Sequence, residues 1–429
     1  FREGNTMKLS IENLAKIKKA DIDLNGITII AGENDSGKST VGKALAAMFS
    51  GFYNVNEYVQ KERNLALARV LYMAVKNNPE SMENILKDLL KMPFKHIDLY
   101  AMLSKYKWTD AEIAISVLRK IALEKFGIDI KTDETTFDRL SQQVKEILSL
   151  TAKDIIAKRL ENKFNIVFCG QVNSLYNSDM AKIALTVQGK KLKAAFVDDV
   201  CKNLDYDISL MHDAIYIANP YLIDYAHNDV FAKESLAKDL VIKIRHKKND
   251  DLLNDIIRQK SLQKFLDKLA EMISGKFVDE KEELYLRYDG MRGAINVKNI
   301  SVGVKAFAII KRLLENGWLE ENGVLVFDEP EIHVHPKWQV VFAEIIVLLQ
   351  KYFNMTILLT THSPYFINAL EVYSVKYGID KVLTAYLSKT ESNMVVFEDI
   401  THNMDRAYSL LAEPFYELEE LRFSLGMDK

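Results

Sequence analysis

The chain of 429 residues is 48% hydrophobic and 27% charged, ample for a sizeable core and longer than one compact domain usually runs. Its net charge of −3 excludes capture of nucleic acid by a global basic field and leaves only a local patch to consider. Two cysteines, Cys169 and Cys201, lie far apart in sequence, which excludes a disulfide or zinc framework and points to a reducing compartment.

Phe1 to Thr6 reads as a cloning remnant before a natural start at Met7, with no signal-peptide pattern. Three short strands are expected next: Lys8 to Ile11, Ala20 to Leu24 and Ile27 to Ile30, the last two joined by a hairpin turn at Asn25-Gly26. The stretch Gly32-Glu33-Asn34-Asp35-Ser36-Gly37-Lys38-Ser39 then reads G-x-x-x-x-G-K-S. An apolar strand precedes it and a helical pattern (Val41, Leu45, Met48, Phe49) follows, which is the context a phosphate-binding loop requires. Glycines let backbone N–H groups curl around phosphate oxygens, and the helix N-terminus adds partial positive charge. The expected phosphate-contacting set is Gly32, Asn34, Ser36, Gly37, Lys38, Ser39 and Thr40. Lys38 would reach the β- and γ-phosphates and Ser39 would ligate magnesium.

From Asn56 to Asn162 glycine is almost absent and apolar residues recur at helical spacing, so a helical insertion is expected. Thr109 and Glu112 form a capping-box signature for a helix running to about Lys125, and Phe137, Leu140, Val144, Ile147 and Leu148 mark another. The heptads are not sustained enough for a long coiled coil. Strand patterns return at Asn165 to Phe168, Ile183 to Val187, Leu192 to Val197 and Ala214 to Ala218, with a turn at Gln188-Gly189-Lys190. Residues 230 to 274 are read as helix and carry Lys243, Arg245, His246, Lys247 and Lys248. Nucleic acid stays open as a partner there, although Asp250 and Asp251 dilute the cluster and favour a solvated helix end.

A strand pair is expected over 277 to 299, with Asp289-Gly290 near its turn. Ile300-Ser301-Val302-Gly303-Val304-Lys305 then leads into a helix from Ala306 to Leu314, a second anion-binding N-terminus. Val324-Leu325-Val326-Phe327-Asp328-Glu329 reads as a buried parallel strand ending in two carboxylates. Asp328 is placed to hold magnesium and Glu329 to polarise a water. In the loop that follows, Glu331, His333 and His335 do not have a recognised zinc spacing, so an interface loop is the preferred reading. After a helix from Trp338 to Gln350, the strand Thr356 to Thr361 ends in His362-Ser363-Pro364, where His362 could bond a γ-phosphate or the attacking water. A further strand is expected from Lys381 to Leu387 and a terminal helix from Asp405 to Leu425. The longest strongly apolar stretch, Val340 to Leu349, is interrupted by Glu344 and is too short for a bilayer span of about 20 residues. A soluble, cytoplasmic chain with no membrane partner is expected.

Together these residues resemble the ABC/SMC-type ATPases. Gly32 to Thr40 corresponds to Walker A, Val324 to Glu329 to Walker B with its glutamate, and Thr361 to Pro364 to the switch histidine. Ile300 to Lys305 resembles the signature loop less well, since Val302 and Val304 stand where glycine and often glutamine are usual. The combination of A-G-E-N-D-S-G-K-S-T, S-x-G-x-K, F-D-E-P-E-x-H-x-H-P and T-T-H-S-P is similar to bacterial AAA-type ATPases related to the ATPase module of OLD (overcoming lysogenization defect) nucleases and to the ATPase subunit of Septu-type anti-phage systems.

That resemblance implies an α/β, two-lobed P-loop head with a large helical insertion between Walker A and the signature loop. In those terms residues 7–51 and 277–429 are the two parts of the ATPase core. Residues 52–162 are the insertion, 163–225 a strand-rich segment and 226–276 a helical one. It also implies ATP and Mg2+ held between two copies, with Lys38, Glu329 and His362 catalytic in one copy. Ser301 and Gly303 would close the site from the other, and Lys305 joins the nucleotide-binding set. Asn219 is a weak match to the family's Q-loop position. The short stretch after His362 leaves little room for a nuclease domain, so a separate nuclease or toxin effector is expected. An SMC-like DNA repair ATPase and a non-hydrolysing nucleotide-clamped scaffold stand as alternatives.

Overall fold

The computed structural model describes residues 7–77, 96–226, 235–248, 265, 275–280, 283–332 and 334–425. Phe1 to Thr6, His333 and most of the helix expected over 230 to 274 lie outside the described residues. The chain divides into two compact units, Phe1–Tyr53 with Leu160–Lys429, and Asn54–Arg159.

In the first unit, β1 (Met7–Leu14), β2 (Ile17–Asp23) and β3 (Ile27–Ala31) lead through the phosphate loop into α1 (Lys38–Phe52). The second unit is helical: α2 (Val55–Asn77), α3 (His96–Leu103), α4 (Ala111–Phe126), α5 (Glu134–Ser149) and the start of α6 (Ala152–Val167). It has its own core, in which Leu67, Leu71, Leu99, Leu118, Leu140 and Val144 are buried. The helix expected from the Thr109–Glu112 spacing starts one residue later. Asp110, not Thr109, is the N-cap, accepting from the Ile113 N–H at 3.0 Å, because its carboxylate reaches an orphan amide of the first turn. Gly127 closes the helix in the left-handed conformation that side chains resist.

Back in the first unit come β4 (Ala181–Val187), β5 (Lys190–Val197), β6 (Val200–Tyr206), β7 (Ala214–Ile217) and α7 (Leu236–Arg245). A small sheet holds β8 (Lys276–Glu280), β9 (Glu283–Arg287) and β10 (Ile295–Asn296). Then follow α8 (Val302–Glu315), β11 (Val324–Asp328), α9 (Pro336–Phe353), β12 (Thr356–Thr361), α10 (Pro364–Tyr377), β13 (Leu383–Glu391), β14 (Met394–Asp399) and α11 (Asp405–Ser424).

Among the described residues, eleven strands form one sheet in the order β6-β5-β4-β1-β2-β14-β13-β3-β12-β11-β7. Strands β13, β3, β12, β11 and β7 run parallel, and every residue of β3 and β12 is buried. This is why they read as continuous apolar runs: a parallel sheet is covered on both faces. The wing from β6 to β2 is antiparallel, with the alternating burial of a one-sided sheet. Phe307, Phe327 and Phe342 pack edge-to-face behind the parallel strands, at 5.1 and 5.5 Å between centroids.

Two sequence expectations change. Asn25-Gly26 is not a hairpin turn, because β14 and β13 lie between β2 and β3. Both edges of β3 are taken by parallel partners, and Gly26 serves a close approach instead: a Cβ there would sit 2.6 Å from the Val382 carbonyl oxygen. Asn165 to Val167 is the last turn of α6, not a strand. Phe164 and Phe168, four apart on one helical face, stack at 5.7 Å. Asp289-Gly290 turns between β9 and β10. Among the described residues, no helix is long and apolar enough to cross a membrane.

Candidate active site

The sheet brings the carboxyl ends of β3, β11 and β12 side by side, in register from Ile27 with Ile357 to Ala31 with Thr361, and from Val324 with Thr356 to Asp328 with Thr360. Ligands of open α/β sheets bind at this edge. The loop leaving β3 turns through Gly32 (φ 152°), Asp35 (φ 59°) and Gly37 (φ 74°). Gly32 is required by proximity: a Cβ would lie 1.8 Å from Ser388 Oγ. Ser388 donates to Ser36 Oγ at 2.7 Å, and Ser36 donates to the Glu33 carbonyl at 2.6 Å. Lys16 braces the loop from outside, donating to the Asp35 carbonyl oxygen at 2.7 Å and to its carboxylate at 2.6 Å. Asn34 is exposed and Thr40 half-buried. Helix α1 starts without a side-chain cap, which leaves its first N–H groups aimed at the loop's concavity.

Lys38 is 3% exposed. Its ammonium donates to the Glu33 carbonyl at 2.5 Å and lies 3.6 Å from Glu329 Oε1. Asp328, at the end of β11, accepts from Ser39 Oγ at 2.8 Å and Thr360 Oγ1 at 2.6 Å on one oxygen, and from the Tyr216 hydroxyl at 2.5 Å on the other. Burial, then the neighbouring Asp328 charge, pushes the Tyr216 phenol well above its usual range, so it remains a donor. Glu329 adopts φ 49°, a left-handed conformation unusual for a side chain, and its N–H is held by Thr360 through the carbonyl at 3.1 Å and Oγ1 at 3.0 Å. His362 Nδ1 sits 3.7 Å from Glu329 Oε1.

The oxygen donors at Ser39 and Asp328 suit Mg2+, a hard cation usually held by one or two carboxylates together with substrate phosphates. Among the described residues no group of three or more His, Cys, Asp or Glu is placed to hold a metal by itself. His335 caps α9, accepting from the Lys337 N–H at 3.2 Å, and Glu331 is turned towards Thr361 and His362.

The structure therefore brings Lys38, Ser39, Asp328, Glu329 and His362 together. The signature segment stands apart in its contacts. Ser301 is exposed at the start of α8, its hydroxyl making no cap bond, and Gly303 lies near Val334. Lys305 points inward. It is 2% exposed, pairs with both Asp224 oxygens at 2.6 and 2.7 Å, and lies over the Tyr221 ring. Asn219 caps the short 3-10 helix Pro220–Tyr225, accepting from the Tyr221 N–H at 2.9 Å. In the basic cluster, Lys243 pairs with Asp213 at 2.7 Å and Lys248 with Glu320 at 2.6 Å. Sequence reasoning missed Tyr216, Thr360, Ser388 and Asp224. Thr360 could have been suspected from its place beside the T-H-S-P run; the others carry no local signal.

Residues 7–367 match AAA_15, the AAA ATPase domain family. The chain belongs to this family. Its AAA ATPase domain is built on an α/β core whose parallel strands carry the phosphate loop. Over 192 residues it is 25% identical to the "Retron Vc95 probable ATPase" of Vibrio cholerae serotype O1 biovar El Tor, a match covering 42% of this chain and 36% of that relative. The chain thus spans about a third of that relative's length. Similar solved structures include the SMC head domain from Thermotoga maritima, at 11% identity and a TM-score of 0.39 over 92% of this chain and 98% of that one. Another is the SmcHead bound to the C-winged helix domain of ScpA, at 10% identity and a TM-score of 0.42 over 94% and 99%.

Proposed function

We propose that this chain is the ATP-binding and hydrolysing subunit of a bacterial anti-phage defence complex, acting as a dimer or larger assembly and controlling a separate nuclease or toxin. The observation that carries the hydrolytic reading is the convergence of Lys38, Ser39, Asp328, Glu329 and His362 at one sheet edge. The loop N–H groups and the α1 N-terminus bind the phosphates, and Lys38 leaves the Glu33 carbonyl for the β- and γ-oxygens. Ser39 and Asp328 would hold Mg2+, which would neutralise phosphate charge when bound. Glu329 accepts the proton of the attacking water, and His362 orients towards the γ-phosphate. Ser301 and Gly303 of a second copy close the site, so turnover is slow in the isolated chain. Lys305, tied to Asp224, holds α8 in place rather than reaching the nucleotide itself. The defence reading draws on the motif resemblance and on the retron ATPase among its relatives.

The test is ATP turnover by purified protein. Glu329→Gln is expected to retain ATP binding and lose hydrolysis by about 100-fold or more, while Lys38→Ala loses binding. Undiminished hydrolysis in Glu329→Gln would remove Glu329 as the base. Light scattering of Glu329→Gln with and without ATP tests the association, and plaque counts with the wild-type and Lys38→Ala genes in their native operon test the defence role.

A further inference from the structure

A carboxylate outside the proposed machinery lies against it. Glu331 is 4% exposed. Its Oε1 accepts from the Thr361 hydroxyl at 2.5 Å and from the His362 N–H at 2.9 Å, and lies 3.6 Å from His362 Nδ1. Among the described residues, neither Glu331 Oε2 nor His362 Nδ1 has a hydrogen-bond partner, and both atoms are buried. His362 is two-fifths exposed as a side chain, so its exposure comes from the rest of the ring. The loop around Glu331 is itself fixed. Gln339 donates to the Val334 carbonyl at 2.9 Å and accepts from Ser363 Oγ at 3.0 Å, joining α9 to the residue after His362.

We infer that Glu331 is a positioning residue for His362: it fixes the backbone of the histidine from below and orients the imidazole, so that the buried Nδ1 faces the carboxylates and Nε2 is left for the γ-phosphate. An imidazole's two nitrogens divide their roles in this way, the orientation of one being set by what faces the other. Removing water from a carboxylate without satisfying both oxygens is costly, and the Glu331 carboxylate, bonded to the His362 N–H and 3.6 Å from the buried Nδ1, is placed to set the ring's orientation. Burial drives the Glu331 carboxyl above its ordinary range, opposed by the Thr361 and His362 hydrogen bonds. The geometry explains why a glutamate, not an apolar residue, occupies this closed position.

This inference rests on the reading that Glu329 and His362 act on ATP, and two readouts keep the two apart. In steady-state kinetics, Glu331→Gln, which preserves shape and one acceptor, is expected to lower kcat at least tenfold with KM for ATP within twofold. Glu331→Ala is expected to lower kcat further, and Glu331→Gln to retain the wild-type melting temperature. Full kcat in Glu331→Gln overturns the inference and leaves the ATPase reading intact. Independently of turnover, 1H–15N spectra of histidine-labelled protein are expected to show the His362 ring, assigned with His362→Gln, changing its nitrogen shifts in Glu331→Gln. Unchanged His362 ring shifts overturn the inference even if kcat falls, since the loss is then structural. Wild-type protein that binds but never turns over ATP overturns the ATPase reading instead, and the ring spectra still decide the Glu331–His362 contact.

Discussion

Gly32 and Tyr216 sit at the two ends of what a sequence can disclose about a single residue. The need for glycine at Gly32 is announced by the motif, but its severity comes from Ser388 on β13, 356 positions later, whose hydroxyl occupies the space of a Cβ. Gly32→Ala is expected to lower nucleotide affinity at least tenfold and stability by about 2 kcal/mol, read by isothermal titration and thermal melting. Adding Ser388→Ala should restore part of the stability, since the nearest contact is removed while the left-handed φ remains. Tyr216 has no motif at all. It supplies a hydrogen bond to a charged acceptor, so Tyr216→Phe should cost about 2 kcal/mol in chemical unfolding; no change would mean Asp328 is satisfied without it.

At the scale of elements, periodicity and caps located most helices and strands, and failures came where neighbours overrule local pattern. Asn165 to Phe168 is rich in β-formers, yet Phe164 and Phe168 pack on one side of a helix whose partner, Phe196, lies 4.8 Å from Phe164. Asn25-Gly26 has hairpin chemistry, but the strands that pair with β3 arrive from the distant end of the chain. Caps are read more safely, to within a residue, because the side chain and the amides it serves are adjacent. Asp110→Ala should cost the helical insertion about 1 kcal/mol, a fall of about 4–8 °C in its unfolding transition, measured by scanning calorimetry. An unchanged transition would show that packing, not the cap, holds the start of α4.

For the whole molecule, the segment that resembles a signature loop divides into a surface part and a buried part. Lys305 holds α8 against the 3-10 helix through Asp224, and removing one member of such a pair leaves the other charge buried or half-buried. Lys305→Ala is therefore expected to lower stability by about 3 kcal/mol, seen in denaturant unfolding. Ser301 makes no cap bond, so Ser301→Ala should leave melting unchanged while weakening ATP-dependent association. Association that persists in Ser301→Ala would argue that this helix end does not close a second copy's site.

The sequence by itself determined the phosphate loop, the acidic strand end and the histidine after β12, because each is a contiguous run whose chemistry depends on neighbours one to eight residues away. Only the tertiary structure decided that Asp328 is shared by Ser39, Thr360 and Tyr216, that Lys305 serves the core, and that Glu331 supports His362. Those contacts join residues on separate strands and helices. A parallel sheet brings such residues together by register, and register is a property of the assembled sheet, not of any single segment.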